Sequence, residues 1–305
     1  MILLASPGQG AQTPGFLSPW LEVPGVADRL AWWSAVTGLD LVRYGTVADA
    51  EEIRDTAVAQ PLLVAAALAA FETLYQGDDR PDAVAGHSVG ELAAAAIAGV
   101  LSPEAALVLV RERGRAMAEA AAVTETGMTA VLGGDPDEVL AAIERHGLTP
   151  ANVNGAGQVV AAGTVERLAA LKDDPPAKAR LRPLSVAGAF HTEHMAPAVD
   201  TLRRLAPGAP VADPAIALLS NRDGAVVRDG RDYLGRLVEQ VSAPVRWDRC
   251  MATMRELGVT AIIELPPAGT LVGIARRELK GVELLALKTP EDLAKARELI
   301  KAHTS

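Results

Sequence analysis

Residues 83–97 read AVAGHSVGELAAAAI, and the order of residue types predicts a strand, a tight turn and a helix. The turn is the pentapeptide GHSVG at 86–90, which has the spacing of a nucleophile elbow. Its glycines permit a sharp bend that presents the Ser88 hydroxyl. The helix N-terminus favours developing negative charge, with the Val89 N–H as an oxyanion donor. The alternative interpretation is an ordinary glycine turn in which the serine only caps the helix.

Outward from this turn, short apolar runs alternate with longer runs rich in Ala and Leu, which predicts an α/β fold in layers. Residues 1–5 are predicted to form a buried first strand. Residues 56–74 follow a helical pattern that Pro61 either starts or kinks. A further helix, capped by Ser102, is predicted over 105–122.

The pattern changes between residues 127 and 187, where the predicted elements are shorter. Their order is strand, helix, strand, strand, helix, strand, which is typical of a ferredoxin-like unit. Because α/β patterning resumes afterwards, we expect an α/β protein with a ferredoxin-like (βαββαβ) small domain at 125–189 inserted in a large domain. The large domain, 1–124 and 190–305, is expected to be α/β-hydrolase-like with a mostly parallel sheet. The six predicted elements cover residues 128–132, 135–146, 151–154, 158–162, 165–171 and 181–186.

Composition argues against several classes of function. The 305 residues carry 29 Lys and Arg against 38 Asp and Glu, and this net charge of -9 disfavours binding to nucleic acids or anionic membranes. Cys250 is the only cysteine, so no intrachain disulfide can form. The apolar run at 1–5 is too short for a signal peptide, and those at 62–70 and 92–100 are too short for a membrane span. We expect a cytoplasmic protein that binds neither nucleic acid nor membrane.

A nucleophilic serine needs a base within hydrogen-bond reach, and histidine most often supplies it. One histidine adjoins the serine, where an extended backbone would point neighbouring side chains apart. Two more lie at a predicted helix end and in the C-terminal tail. The remaining pair, His191 and His194, follows the last strand of the small unit, and either can equally be a surface residue at a helix start. In chain order the five histidines are His87, His146, His191, His194 and His303.

A second glycine-rich stretch, PGQGAQ at 7–12, directly follows the first predicted strand. Such a loop can bring a backbone N–H close to a reacting oxygen. A phosphate-binding loop is the other interpretation, but the pattern GxxxxGK[ST] is absent from the sequence. A catalytic role for Gln9 is therefore indicated only in combination with the elbow and a base.

Together these stretches resemble the malonyl-CoA:acyl-carrier-protein transacylase family, which includes the acyltransferase domains of fatty acid and polyketide synthases. The resemblance covers nearly the whole chain. It implies the two-domain fold expected above, malonyl-CoA as substrate, an acyl-carrier protein as partner, and no cofactor or metal; we expect a monomer. The motifs, in the family's order, are GQGAQ (8–12), GHSVGE (86–91), RGRAM (113–117), NVN (152–154), GAFH (188–191) and EQ (239–240) ahead of PVRW (244–247).

The resemblance also implies roles for individual residues. Ser88 would be the nucleophile and His191 its base, oriented by the Gln240 carbonyl. The backbone N–H groups of Gln9 and Val89 would form the oxyanion hole. In a ping-pong cycle the serine takes malonyl from coenzyme A and passes it to the phosphopantetheine thiol of the carrier. The implied substrate pocket contains Arg113, His87, Met117, Asn152, Asn154 and Phe190.

Two of these pocket residues bear on substrate choice. Arg113 is implied to bind the malonyl carboxylate through two parallel hydrogen bonds, and a neutral acyl group would leave its charge unpaired. From the pattern alone, a solvated helix face shared with Arg111 and Arg115 is the better interpretation. Phe190 resembles the malonyl-selecting form of its motif, in which a bulky ring fills the space of a methyl branch.

The acidic carriers of this family need a basic docking surface. Two groups of basic residues fit this purpose, although each also fits an ordinary solvated face. The first follows one strand and the second lies on a helix. The groups are Lys178, Arg180 and Arg182, and Arg276, Arg277 and Lys280.

Two other classes of function remain open. An α/β-hydrolase shares the elbow, but its acid and histidine come late in the chain, where Glu264 and His303 would have to serve. That interpretation leaves Gln9, Arg113 and His191 without a role. A non-enzymatic module would bind CoA thioesters or a carrier protein without turnover, and the intact set of catalytic residue types argues against it.

Overall fold

The computed structural model describes residues 1–75, 80–186 and 188–303. Its strands form one sheet of six and one of five. In chain order the strands are β1 Ile2–Ser6, β2 Ala83–Gly86, β3 Thr126–Gly133, β4 Thr149–Gly155, β5 Gln158–Thr164, β6 Ala179–Pro183, β7 Ala217–Leu219, β8 Val226–Val227, β9 Val245–Arg246, β10 Ala261–Glu264 and β11 Glu283–Ala286. The α-helices are α1 Val26–Thr37, α2 Leu41–Thr46, α3 Thr56–Leu74, α4 Gly90–Ile97, α5 Pro103–Ala121, α6 Pro136–Arg145, α7 Val165–Asp173, α8 Ala196–Leu205, α9 Gly230–Glu239, α10 Trp247–Glu256, α11 Thr270–Glu278 and α12 Leu293–His303.

The six-stranded sheet has the order β11-β10-β1-β2-β7-β8. Its first five strands run parallel, and β8 at the edge pairs antiparallel with β7. On β1, Ile2 and Leu4 join one hydrophobic cluster, whereas Leu3 and Ala5 join another. A strand that is buried on both faces is apolar throughout, which explains the unbroken apolar run at the N-terminus. This is the mostly parallel sheet expected from the sequence.

The five-stranded sheet has the order β6-β3-β5-β4-β9. Strands β3 to β6 pair antiparallel and, with α6 and α7, follow the predicted order of strands and helices. Val131, Ile143 and Leu171 belong to a hydrophobic cluster of their own on this sheet. The predicted bounds of the last strand, 181–186, are wrong, because β6 begins at Ala179 and ends at Pro183.

Strand β9 joins the two parts of the fold. It lies outside the predicted small domain, yet it pairs parallel with β4, with Asn152 opposite Val245 and Val153 opposite Arg246. A strand of two residues is too short to carry a periodic hydrophobic pattern, so the sequence did not predict it. The sheet of the small unit therefore continues into the larger part of the chain.

Helices α3 and α5 pack against each other and carry buried Gln60 and Arg113. Helix α3 begins after Asp55, whose carboxylate accepts a backbone N–H, and Pro61 lies inside it, so the proline does not start the helix. Helix α5 begins after Ser102, whose hydroxyl caps it as predicted. By length and apolar composition α3 would pass for a membrane span, but 78% of its most apolar window is buried inside the fold, as in a core helix.

Candidate active site

The predicted elbow lies at the carboxyl end of β2, beside the end of β1. Ser88 has a φ of 52°, in the left-handed region that costs a non-glycine residue about 1 to 3 kcal/mol. Its flanking glycines have no room for a side chain. A Cβ on Gly86 would lie 2.0 Å from the carbonyl carbon of Gly90, and one on Gly90 would lie 2.2 Å from the oxygen of Ser6. The strained turn leaves the serine partly exposed, whereas Val89 beside it is buried.

A histidine and a backbone carbonyl extend from the serine as a hydrogen-bonded chain. Ser88 Oγ lies 2.7 Å from His191 Nε2, and His191 Nδ1 lies 2.8 Å from the carbonyl oxygen of Gln240. Because a carbonyl oxygen only accepts, Nδ1 carries the proton and Nε2 presents its lone pair to the serine. Of the two histidines left open by the sequence, the structure thus brings His191 within proton-transfer distance of the nucleophile.

The protonation state of His191 follows from its surroundings. Burial lowers the pKa of His191 to about 3, and the positive charge of nearby Arg113 contributes in the same direction. The imidazole is therefore neutral at physiological pH. A neutral imidazole is the state in which it can take a proton from the serine hydroxyl.

We expect kcat/KM for acylation of the enzyme to stay constant from about pH 7 down to about pH 5. An ordinary histidine base loses activity as it protonates near its unperturbed pKa of about 6.5. The lowered pKa of His191 keeps the base form populated well below that value. The measurement is the single-turnover rate of acylation by the thioester that the family resemblance implies, taken across this range, with thermal unfolding at each pH as the control. A fall of about tenfold between pH 7 and pH 5.5 would contradict the lowered pKa.

Arg113 is the cation of the site. It is 2% exposed, and its Nη2 lies 3.4 Å from Ser88 Oγ. Its guanidinium donates to two neutral amide oxygens, Gln60 Oε1 at 2.7 Å and Gln240 Oε1 at 2.8 Å, and no carboxylate within the described ranges forms an ion pair with it. Burial lowers the pKa of Arg113 to about 10, which leaves it charged at neutral pH. The solvated-face interpretation is therefore wrong, and a buried cation held only by amides favours an anionic ligand.

Three buried polar residues of the site, Gln60, Glu91 and Asn221, received no role from the sequence. Asn221 Oδ1 accepts the backbone N–H of Ser88 at 2.7 Å. The Asn221 N–H donates to Glu91 Oε1 at 2.6 Å, and Gln240 Nε2 donates to Glu91 Oε2. Burial raises the pKa of Glu91 to about 8. Gln60 and Glu91 had a detectable signal, since each is a polar residue within an apolar helical run, whereas Asn221 follows a strand too short to show a pattern.

His87 packs beneath the elbow. Its Nε2 lies 2.8 Å from Asn154 Oδ1 on β4, and its ring meets Trp247 edge-on with centroids 5.7 Å apart. Burial lowers the pKa of His87, which favours its neutral form. A Cβ on Gly8 would lie 2.9 Å from His87 Nδ1, so the glycine-rich loop at 7–12 lies directly against the elbow. His87 is thus placed to pack against the neighbouring elements while the other face of the turn meets the base.

The other residues predicted for the oxyanion hole and the substrate pocket make separate contacts. The side-chain Nε2 of Gln9 donates to the Thr56 hydroxyl at 3.2 Å. Met117 Sδ accepts from Gln60 Nε2 at 3.4 Å, so it supports the amide that holds the arginine. Phe190 is buried, and it immediately precedes His191 in the sequence. Asn152 Oδ1 is buried without a hydrogen-bond partner in the described part of the chain.

The residues that a hydrolase would require lie elsewhere. His303 contacts Thr260 Oγ1 and Glu283 Oε2, each at 2.8 Å. The carboxylate of Glu264 accepts three backbone N–H bonds at the start of α11. Both side chains are thus held by other partners, and Ser88 is paired with a different histidine.

Comparison with known proteins identifies similar sequences and structures. The family described as acyl transferase domain matches residues 22–296. The malonyl CoA-acyl carrier protein transacylase of Mycobacterium bovis is 57% identical over 298 residues, which cover 96% of this chain and 98% of that protein. The crystal structure of MCAT from Mycobacterium tuberculosis has a TM-score of 0.94 at 56% identity, covering 97% and 99% of the two chains. A malonyl-transacylase in complex with its type II polyketide synthase acyl-carrier protein has a TM-score of 0.91 at 31% identity, covering 98% and 99%.

Proposed function

Since the chain belongs to the acyl transferase domain family and, within it, to the malonyl-CoA:acyl-carrier-protein transacylases, we propose that Ser88 carries the malonyl group during transfer. The chain moves malonyl from malonyl-CoA to an acyl-carrier protein and so supplies malonyl units for fatty acid or polyketide synthesis. The proposed residues are Ser88 as nucleophile, His191 as base, Arg113 as carboxylate clamp, the Gln9 and Val89 N–H groups as oxyanion hole, and the Gln240 carbonyl as orienter of the base.

The observation that carries these assignments is the position of Arg113. The Arg113 guanidinium is buried, no carboxylate in residues 1–75, 80–186 and 188–303 forms an ion pair with it, and it lies 3.4 Å from the hydroxyl that starts the reaction. The free carboxylate of a malonyl thioester would neutralise that charge, and its carbonyl carbon would then lie near Ser88 Oγ. An acetyl group would leave the buried cation unpaired. The site therefore both attracts the malonyl carboxylate and disfavours a neutral acyl group.

In the first half-reaction Ser88 Oγ attacks the thioester carbonyl carbon while its proton passes to His191 Nε2. The negative charge that develops on the carbonyl oxygen is stabilised by the N–H groups of Gln9 and Val89. When the tetrahedral intermediate collapses, the carbon–sulfur bond breaks and the coenzyme A sulfur takes the proton from His191. The products are malonyl-serine and free coenzyme A.

The second half-reaction runs through the same groups in reverse. The carrier's phosphopantetheine thiol gives its proton to His191 Nε2 and attacks the malonyl-serine carbonyl carbon. The carbon–oxygen bond to Ser88 then breaks, and the serine oxygen recovers the proton. Because both thiols occupy one site in turn, the kinetics are expected to be ping-pong.

We expect intact-protein mass spectrometry to show one malonyl mass on the enzyme after mixing with malonyl-CoA, and peptide mapping to place it on Ser88. Parallel samples with acetyl-CoA and methylmalonyl-CoA measure selectivity, and addition of holo carrier protein should remove the adduct. Release of free coenzyme A without an adduct or a malonyl-carrier product would favour hydrolysis. The absence of both products would favour a binding module.

We further propose the division of the chain into a large α/β-hydrolase-like domain, 1–124 and 190–305, and a ferredoxin-like small domain, 125–189. The separate hydrophobic cluster of the small unit and its antiparallel sheet support this division. We also propose a cytoplasmic monomer. The two predicted basic groups are exposed, one at the sheet edge formed by β6 and one at the end of α11, and both are candidates for docking the carrier.

A further inference from the structure

We propose that Glu91 is a positioning residue that sets both the nucleophile and the carboxylate clamp, through Asn221 on one side and Gln240 on the other. The hydrogen bonds of its carboxyl group reach these two residues rather than the reacting groups themselves. Asn221 and Gln240 in turn contact Ser88, His191 and Arg113. The selectivity part of this proposal rests on the proposed role of Arg113.

The Asn221 side of this network holds the strained elbow. Its side-chain oxygen accepts the Ser88 N–H, and its Nδ2 donates to the Gly86 carbonyl, each at 2.7 Å. One amide therefore bonds both to Gly86, the last residue of β2, and to Ser88 in the turn that follows. Asn221 is fully buried, and its own backbone N–H is fixed by Glu91 Oε1 at 2.6 Å. The carboxyl thus holds in place the residue that holds the elbow.

The Gln240 side of the network fixes which way an amide points. Gln240 Nε2 donates to Glu91 Oε2 and, at 3.1 Å, to the Ser88 carbonyl, so its Oε1 is turned toward Arg113 at 2.8 Å. The Gln240 amide lies between Arg113, which only donates, and Glu91, whose carboxylate accepts. These two neighbours are compatible with a single orientation of the amide. If the amide turned over, Nε2 would face the guanidinium and the clamp would lose an acceptor.

Each oxygen of Glu91 meets one donor, which requires the ionised carboxylate, and an amide at this position cannot accept both bonds. In Glu91→Gln one of the two donors would face an NH₂ group. The Asn221 N–H is backbone and cannot turn, but the Gln240 amide can, so turning Gln240 is the easier relief. Arg113 would then lose its Gln240 acceptor. This would affect the reaction with malonyl, whose carboxylate Arg113 is proposed to bind, and not that with acetyl, which has no carboxylate.

The experiment compares kcat/KM for acylation by malonyl-CoA and by acetyl-CoA in wild type, E91Q and E91D at about pH 9, above the pKa of about 8 to which burial raises Glu91. We expect the malonyl-to-acetyl ratio to fall about tenfold or more in E91Q, because an Arg113 that has lost the Gln240 acceptor is displaced from the malonyl carboxylate, a partner that acetyl lacks. Aspartate keeps both oxygens but is one methylene shorter, so E91D should lower the ratio in the same direction. It also provides the test if E91Q does not fold.

Glu264→Gln is the matched control. Glu264 is also a fully buried carboxyl at the end of a strand inside the sheet, but its partners within the described residues are backbone N–H groups of the loop before α11 and of that helix. E264Q should lower the thermal unfolding midpoint and leave the ratio within about twofold of wild type. If both Glu91 variants keep the malonyl-to-acetyl ratio of wild type, the proposed positioning role of Glu91 is overturned. A wild type without preference for malonyl overturns the role of Arg113, and the present proposal with it.

Discussion

S88A is expected to form no malonyl-enzyme with malonyl-CoA, and its rate of transfer to the carrier should fall by about 10⁴-fold or more. Within the described structure Ser88 Oγ is the hydroxyl that His191 Nε2 contacts, so its removal leaves the base without a nucleophile. Residual activity would come only from binding and from the oxyanion donors. Intact-protein mass spectrometry and a carrier-loading assay measure the two effects.

Ser88→Gly is the matched variant for this test. The φ of 52° at position 88 is unfavourable for alanine and open to glycine. We therefore expect S88G to be at least as stable as S88A in thermal unfolding and equally inactive. Equal loss in both variants would assign the effect to the missing hydroxyl rather than to a distorted elbow, whereas a malonyl adduct on either variant would disprove the role of the serine.

R113A is expected to lower kcat/KM for malonyl-CoA by about 10²- to 10³-fold and to leave that for acetyl-CoA within about tenfold. The substitution removes the proposed partner of the malonyl carboxylate, and it also removes the unpaired buried charge that penalises acetyl. Preference should thus shift toward the neutral donor. Single-turnover acylation with each thioester gives the two values, and an equal fall in both would contradict a clamp.

Arg115→Ala provides the control on the same helix. Its side chain is 51% exposed, and it lies two positions beyond Arg113, on another face. R115A removes the same charge from α5 without touching the buried amides. Both rate constants should therefore remain close to those of wild type.

The burial of Arg113 could have been predicted from helical periodicity. Val110 and Met117 lie three residues before and four residues after it, and all three are buried on one face of α5. Arg111 and Arg115 are displaced from that face by two residues each. The solvated-face interpretation grouped the arginines by their closeness in sequence, whereas the angle of each residue around the helix decides its burial.

The elbow was predictable because its constraints are local: Gly86, Ser88 and Gly90 lie within five residues. The rest of the site is assembled over long separations: His191 lies 103 residues after Ser88, and Gln240 lies 152 residues after it. Hydrophobic pattern carries no information about such pairs, so the residues alone left two histidines open. The resemblance to a known family supplied the choice.

The pairing of β9 with β4 has a consequence for how substrates enter and leave. A rotation of the small unit about a hinge would have to break this ladder and, with it, the hydrogen bond between Asn154 and His87. We therefore expect little opening and closing between the two parts of the fold during turnover. Coenzyme A would depart and the carrier arrive without a change in the relative position of these parts, and the rate of exchange would be set by diffusion and docking rather than by domain motion.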